Sequence, residues 1–274
     1  MSAFRSHHRS VVAALRAAGC VFAEDEARLL MSAARTPADL AAMVDRRAAG
    51  LPLEHVLGWA VFCGLRIAVD PGVFVPRRRT EFLVRQAAAF ARSPTVVVDL
   101  CCGSGAVGAA LAATLDQVEL HAVDIDPAAV RCARGNLAAA GGQVYGGDLY
   151  DPLPATLCGR VDLLVANAPY VPTDAVRLLP AEARMHEPRV TYDGGQDGLD
   201  ILRRVIAPAP LWLASGGHLL IETGQDQAPR ALDLLALNRL NPHVARSDEL
   251  NATVAIGTHR ATPRIRHQYA GPSR

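Results

Sequence analysis

The pattern of apolar and polar positions in the first part of the chain is typical of short helices. Ala-rich and Leu-rich segments, such as residues 11–18 and 25–32, are interrupted near Gly19 and Pro37. Alanine and leucine are strong helix formers, whereas glycine and proline tend to end a helix. The pattern therefore predicts a small N-terminal helical domain over residues 1–57.

The next segment, residues 58–80, has a strand-like pattern. Two short apolar runs, at residues 60–62 and 65–69, are separated by Cys63 and Gly64. Short β-like runs on either side of a glycine turn favour antiparallel pairing. We therefore predict a β-hairpin linker in this segment.

The remainder of the chain, residues 81–274, is predicted to be a catalytic domain of the α/β class. From Pro94 onward, strand-length apolar runs alternate with longer runs of helix formers, which predicts a mostly parallel seven-stranded sheet with helices on both faces. The last two runs are joined by residues 248–251, too short for a crossover helix, so we expect an antiparallel pair at one edge. The predicted strands are residues 95–100, 118–123, 143–145, 161–166, 217–222, 243–246 and 253–257, and the predicted helices are residues 106–115, 127–140, 199–213 and 225–237.

Composition narrows the function classes. The net charge is +1, which argues against a general binder of nucleic acids or membrane surfaces. No apolar run is long enough to span a membrane, and residues 1–10 lack a hydrophobic signal core, so we expect a cytoplasmic protein. The six cysteines have no C-x-x-C spacing, which favours reduced thiols and no metal. The basic tail, residues 260–274, is a candidate for a weak electrostatic contact.

A glycine-rich turn follows the first predicted strand of the sheet. Gly103, Gly105 and Gly108 have the spacing G-x-G-x-x-G, and Asp124 ends the next strand. Glycines let a ligand approach the backbone, and a carboxylate after the second strand can accept both hydroxyls of a ribose. The pattern fits a dinucleotide and also fits S-adenosylmethionine.

Three further positions favour S-adenosylmethionine. Asp99 lies four residues before the glycines, where a dinucleotide fold would carry an apolar residue, and Asp148 with Leu149 follows the third strand, where an adenine amine would lie. Asn167 follows the fourth strand and would face the reactive end of the cofactor. We therefore predict a class I adenosylmethionine-dependent methyltransferase fold. The predicted cofactor-binding residues are Asp99, Cys101, Cys102, Gly103, Ser104, Gly105, Asp124, Ile125, Asp148, Leu149 and Asn167.

The predicted catalytic residues are the tetrapeptide Asn-Ala-Pro-Tyr that follows the fourth strand. The Asn167 carboxamide and the Ala168 carbonyl can accept the two hydrogens of an NH2 group on a planar π-system, Pro169 fixes the backbone, and the Tyr170 ring covers the face of the acceptor. Asn-x-Pro is also an ordinary turn sequence. Its position relative to the glycine loop favours the interpretation as an acceptor clamp.

With these motifs, the chain resembles the HemK-type protein-glutamine methyltransferases over nearly its whole length. The motifs that carry the resemblance are residues 52–58, 62–65, 70–77 followed by Thr80-Glu81, 187–189, 193–199, and 216–222 followed by Gly224-Gln225. The resemblance implies that residues 70–77 lie over the cofactor, which adds Phe74 and Arg77 to the cofactor-binding residues. It also implies that the acceptor is the glutamine of the Gly-Gly-Gln loop in a class I peptide-chain release factor.

Three segments depart from the family pattern. The family normally has Asn-Pro-Pro-Tyr, and Ala168 replaces the first proline, which leaves the backbone less preorganised by about 0.4–1 kcal/mol. Cys101 and Cys102 replace a Gly-Thr pair, and three arginines at residues 77–79 stand in a segment that usually carries a proline and an acid. These departures leave open a paralogue that acts on another target.

Two other functions fit part of the pattern. The same clamp can hold the exocyclic amine of adenine or guanine, as in a nucleic-acid amino-methyltransferase. The near-neutral charge and the hairpin-linked helical domain favour a protein partner instead, so we do not expect direct nucleic-acid binding. A catalytically silent adenosylmethionine-binding protein is favoured by Ala168 and the altered loop, but Asn167, Pro169 and Tyr170 are all present. The primary prediction is methylation of a glutamine side-chain amide.

Overall fold

The computed structural model describes residues 2–260, with side chains from residue 7 onward. The basic tail discussed above therefore lies, from residue 261, outside the described residues. The helices are α1 Ser2–Ala17, α2 Ala23–Ala33, α3 Pro37–Ala48, α4 Leu53–Leu57, α5 Glu81–Phe90, α6 Ala106–Thr114, α7 Pro127–Leu137, α8 Ala181–His186, α9 Asp200–Ile206, α10 Ala209–Trp212 and α11 Ala228–Leu237. The strands are β1 Trp59–Phe62, β2 Leu65–Ala68, β3 Thr95–Leu100, β4 Val118–Asp124, β5 Gln143–Gly146, β6 Val161–Ala166, β7 Leu213–Glu222, β8 Leu240–Ser247 and β9 Ala252–His259.

The N-terminal helices α1–α4 enclose a small apolar core of their own. Leu15 and Leu30 are fully buried in it, together with Val56 from α4. Helix α3 begins at Thr36, whose hydroxyl accepts a hydrogen bond from the Asp39 backbone N–H at 3.1 Å, the usual cap for the free amides of a first turn. The antiparallel pair β1–β2 follows, as the sequence predicts.

The main sheet has seven strands in the order β5-β4-β3-β6-β7-β9-β8. The first five are parallel, and β9 runs antiparallel to both of its neighbours. Because β3 lies between β4 and β6, the strand order reverses at β3. The carboxyl ends of these three strands therefore border a crevice in which ligands of open α/β sheets bind.

Helices cover both faces of the sheet, because alternate residues of the parallel strands point to opposite sides. Val97 of β3 packs in one apolar layer with residues of α5 and α6, whereas Val98 packs in the other with residues of α9 and α11. Parallel strands of this kind are apolar on both faces. The predicted α/β class, the seven-stranded sheet and the antiparallel edge pair are confirmed.

Four details differ from the sequence-based expectations. The helix predicted at 199–213 is divided into α9 and α10, because Pro208 lacks the N–H that a continuous helix needs. Strand β7 starts at Leu213 rather than at residue 217, and α5 was not predicted. The predicted strand 243–246 extends to Leu240–Ser247 across Pro242, which is tolerated because β8 lies at the edge of the sheet.

No helix in the described part of the chain is both long and apolar enough to cross a membrane. The domain boundaries at residues 57 and 80 remain predictions.

Arg47 of α3 forms a buried ion pair with Glu26 of α2, and a second ion pair with Glu182 of α8, whose side chain is 46% exposed, joins the N-terminal helices to the sheet domain. The Arg47 guanidinium donates to Glu26 at 2.6 Å and to Glu182 at 2.6 Å, and the side chains of Arg47 and Glu26 are 9% and 11% exposed. Removing one partner of such a pair leaves an uncompensated charge in the interior.

We therefore expect Arg47→Met to lower the free energy of unfolding by about 3–5 kcal/mol, measured by chemical denaturation followed by circular dichroism. Arg28 forms an ion pair with Asp25 on the exposed surface of the same helices. Arg28→Met is the matched control and should cost about 0–1 kcal/mol. Equal losses in the two variants would contradict a structural role for the buried pair.

Candidate active site

A cleft lies at the carboxyl ends of β3, β4 and β6, beneath the segment that follows the hairpin. Apolar side chains and a few convergent polar groups line it, as is usual for clefts that bind small molecules. The predicted site residues that line it are Phe74, Asp99, Cys101, Cys102, Gly103, Ser104, Asp124, Ile125, Asp148, Leu149, Asn167 and Pro169. The structure thus brings twelve of the predicted residues to one cleft.

Four predicted residues are not among those that line the cleft. Gly105 begins α6, and a Cβ there would come within 3.2 Å of the Ala133 Cβ, so this glycine permits helix packing. Arg77 donates to both oxygens of Glu187, at 2.6 and 2.8 Å. Ala168 is buried.

Arg77 acts on the cleft through Phe74. Its guanidinium lies 4.9 Å from the centre of the Phe74 ring, within range of a cation–π contact. The fourth residue, Tyr170, is half-buried, and its hydroxyl donates to Glu222 at 3.1 Å.

The turn after β3 contains three residues with left-handed backbone conformation. Their φ angles are +56° at Cys101, +55° at Gly103 and +77° at Gly105. Glycine adopts this region freely, but a residue with a Cβ pays about 1–2 kcal/mol there. Cys101 therefore keeps the turn that the family builds with glycine, at a local cost in backbone strain.

Asp99 and Asp124 are the charged groups of this turn. Asp99 is 1% exposed, and its Oδ2 accepts the Gly108 N–H at 3.0 Å. Burial, with a contribution from Asp124, raises the pKa of Asp99 to about 7. Asp124 accepts the Gly103 N–H at 2.8 Å and the Asp126 N–H at 2.9 Å. Burial also raises the pKa of Asp124. A buried and a half-buried carboxylate in one cleft favour a ligand with a cation and hydroxyl donors.

Apolar side chains also line the cleft. Leu149 and Ile125 are among them, and Asp148 is a further lining residue. Arg204 of α9 donates to the Asp148 Oδ2 at 2.6 Å and also lines the cleft. Apolar side chains together with a carboxylate suit a purine that carries an exocyclic amine.

The Asn167 side chain is oriented by Thr80. Its Nδ2 donates to the Thr80 Oγ1 at 3.3 Å, and within residues 7–260 its Oδ1 makes no hydrogen bond. The amide is thus turned so that its oxygen is the free acceptor, as the clamp interpretation requires. Thr80 and Arg204 were not predicted as site residues. Thr80 lies in the segment that carries the family resemblance, whereas no local signal connects Arg204 with Asp148.

Asp99 predicts a specific pH dependence of stability. Its pKa in the folded chain is about 7, against an ordinary value of 3.8, so the folded state holds a proton that the unfolded state releases. Between pH 4 and 7, this group should lower the free energy of unfolding by roughly 1.4 kcal/mol per pH unit as the pH rises. Asp99→Asn should remove that part of the slope in urea denaturation. Parallel pH profiles for the two proteins would contradict a raised pKa.

Comparisons with known proteins agree with this geometry. A family model described as methyltransferase small domain matches residues 64–187. A methyltransferase from Pyrococcus furiosus is similar in structure, with a TM-score of 0.54 at 15% sequence identity over 72% of this chain and 90% of that one. At this identity, the likeness supports the fold alone.

Curated relatives are more similar in sequence. The release factor glutamine methyltransferase of Geobacter sulfurreducens is 39% identical over 73% of this chain and 71% of its own. The release factor glutamine methyltransferase of Mycolicibacterium smegmatis is 39% identical over 76% of this chain and 75% of its own. A 4-amino-L-phenylalanine/4-methylamino-L-phenylalanine methyltransferase of Streptomyces pristinaespiralis is 37% identical over 67% of this chain and 65% of its own. The resemblance is thereby confirmed, and the chain belongs to the family of the release factor glutamine methyltransferases.

Proposed function

We propose that this chain transfers a methyl group from S-adenosylmethionine to the side-chain amide nitrogen of a glutamine in a peptide-chain release factor, within its Gly-Gly-Gln loop. One observation carries the proposal beyond family membership. The cleft that contains Asp99 and Asp124 also contains Asn167, whose amide is turned by Thr80 so that its oxygen is available. The residues proposed to bind the cofactor and the residue proposed to hold the acceptor therefore line the same cleft.

The described residues fit S-adenosylmethionine. The Asp124 carboxylate, already oriented by two backbone amides, would accept the ribose hydroxyls, and Asp148 would accept the adenine amine beside Leu149. The loop held by Asp99 would bind the methionine ammonium. A Cβ at Gly103 would point toward the Phe74 Cβ, 3.9 Å away, so glycine here keeps the wall of the cleft open. When bound, the cofactor supplies an electrophilic methyl group on a sulfonium.

The acceptor nitrogen needs positioning more than activation by charge. An amide nitrogen is a poor nucleophile because its lone pair is delocalised into the carbonyl. The Asn167 Oδ1 and the Ala168 carbonyl would each accept one amide hydrogen and so aim the π-face of the nitrogen at the methyl group. The Tyr170 ring would pack against the amide. Near-attack alignment of this kind can supply about 7–11 kcal/mol.

An aromatic amine is the second candidate acceptor. The relative from Streptomyces pristinaespiralis is named for the methylation of 4-amino-L-phenylalanine, whose NH2 group is also attached to a flat π-system. The same clamp could therefore hold it, and Ala168 makes the clamp backbone less rigid than proline would. An assay of methyl transfer to each acceptor distinguishes between them.

The acceptor prediction is tested with purified protein and labelled S-adenosylmethionine. Three acceptors are offered separately: a release factor, 4-amino-L-phenylalanine, and a short adenine-containing RNA. We expect label on the release factor, located by mass spectrometry on the glutamine of its Gly-Gly-Gln loop. A release factor with alanine in place of that glutamine is the matched control and should stay unlabelled. Label in the aromatic amine or in the RNA, with none in the release factor, would refute the proposed acceptor.

Asn167 and Asp124 have different proposed roles, which gives a further prediction. Asn167→Ala should abolish methyl transfer while leaving most of the affinity for S-adenosylhomocysteine, because Asn167 orients the acceptor. Asp124→Ala should weaken that affinity by roughly 1.5–3 kcal/mol, the value of hydrogen bonds to a charged group. Calorimetry and single-turnover assays measure the two effects. Full turnover by Asn167→Ala would show that the acceptor is held elsewhere.

A further inference from the structure

Three side chains from separate segments meet behind the acceptor clamp. The Tyr170 hydroxyl donates to the Glu222 Oε1 at 3.1 Å. The Arg79 Nε donates to the same oxygen at 3.0 Å, and its guanidinium lies 5.8 Å from the centre of the Tyr170 ring. Glu222 ends β7, whereas Arg79 belongs to the segment after the hairpin. The group therefore connects the clamp to both the sheet and the segment that covers the cleft.

The contacts of Glu222 matter for stability because this side chain is buried. Glu222 is 1% exposed, and a carboxylate in such a place is costly unless it is paired and hydrogen-bonded. Arg79 supplies the opposite charge, and its half-exposed side chain keeps part of its hydration. The Glu222 Oε2 has no hydrogen-bond partner among the described residues. All of the observed pairing of this carboxylate thus goes through the oxygen shared by Arg79 and Tyr170.

Tyr170 is also held at its backbone. The Gln227 Nε2 donates to the Tyr170 carbonyl at 2.8 Å and to the Asp197 carbonyl at 3.1 Å. The tyrosine is therefore fixed at both ends, by its carbonyl and by its hydroxyl. Burial, followed by the charge of Glu222, raises the pKa of Tyr170, so the phenol remains a hydrogen-bond donor across the physiological range. These tethers restrain a clamp in which Ala168 leaves the backbone freer than proline would.

We propose that Arg79 and Glu222 are positioning residues for methyl transfer, which fix the ring of Tyr170 against the acceptor through its hydroxyl. The inference rests on the proposed function, in which that ring covers the acceptor amide. Arg79, Glu222 and Tyr170 are all absent from the lining of the cleft, but Tyr170 directly follows the lining residue Pro169. Arg79 and Glu222 would therefore act on the acceptor through their contacts with Tyr170. Loss of the Arg79 charge leaves Glu222 unpaired, releases the ring and misaligns the acceptor, while the cofactor end of the cleft is unchanged.

The neighbouring Arg78 provides a matched control. It carries the same charge one residue away, is exposed, and its side chain makes no ion pair or hydrogen bond within the described part of the chain. Arg78→Met and Arg79→Met therefore remove the same charge from the same turn, but only the second breaks the contact with Glu222.

The kinetic test is a double-mutant cycle on the methylated acceptor. Arg79→Met and Tyr170→Phe should each lower kcat about tenfold, with S-adenosylhomocysteine affinity unchanged. The double variant should be no slower than either single variant, because both remove the same restraint. Arg78→Met should keep the original kcat. Multiplicative losses in the double variant, or an equal loss in Arg78→Met, would overturn the inference.

A second measurement needs no acceptor, and therefore separates this inference from the proposed function. The chain has five tyrosines, and labelling them with 3-fluorotyrosine gives fluorine NMR resonances of which Tyr170→Phe identifies one. Arg79→Met and Glu222→Gln should shift or broaden that resonance and leave the others in place, whereas Arg78→Met should move none. An unchanged Tyr170 resonance in Arg79→Met overturns the inference whatever the acceptor is. A shifted resonance in a protein that labels no release factor would refute the proposed acceptor and leave the restraint standing.

Discussion

The pairing of β3 with β4 on one side and β6 on the other is the constraint on which the site depends. Parallel register brings Leu100 beside Val123 and Ala166, so the loops that follow the three strands leave the sheet at the same level. Each loop then carries one kind of group: a glycine turn, a carboxylate and a carboxamide. A register shift in any of these strands would turn its side chains to the other face and separate groups that must act on one ligand.

Electrostatics gives this arrangement a preference for a cationic ligand. Asp99 is buried and Asp124 is half-buried, and desolvation raises the pKa of both. Among the described residues, backbone amides offset part of the cost of ionising them. A bound cation would favour the ionised forms, so part of the affinity for S-adenosylmethionine in the proposed function would come from relieving that cost. The apolar side chains of the cleft would contribute through burial of the purine.

The sequence predicted the elements that depend on local pattern. Residues 95–100 and 161–166 form strands with the predicted ends, because continuous β-branched and aliphatic runs bounded by turn residues have few alternatives. The glycine turn and the carboxylates after each strand also lie where the pattern placed them. Contacts between distant segments were not predictable in the same way. Nothing near Asp148 indicates that Arg204 will pair with it, since partner choice across 56 residues is decided by how α9 packs on the sheet.

The three arginines at residues 77–79 show how such distant contacts shape the acceptor end. The sequence alone predicts one basic turn, whereas in the structure Arg77 pairs with Glu187 and Arg79 pairs with Glu222. The next residue, Thr80, holds the Asn167 amide.

Three of the residues 77–80 therefore fix the segment that covers the cleft, two through ion pairs and Thr80 through its hydrogen bond with Asn167. The same segment is tied to the N-terminal helices, because the His55 ring makes a hydrogen bond with the Val73 carbonyl at 2.8 Å. Hydrogen bonds and an ion pair thus connect α4, through the covering segment, to Asn167 and, by way of Glu222, to Tyr170. The covering segment is therefore held by the N-terminal helices at one end and by the acceptor clamp at the other.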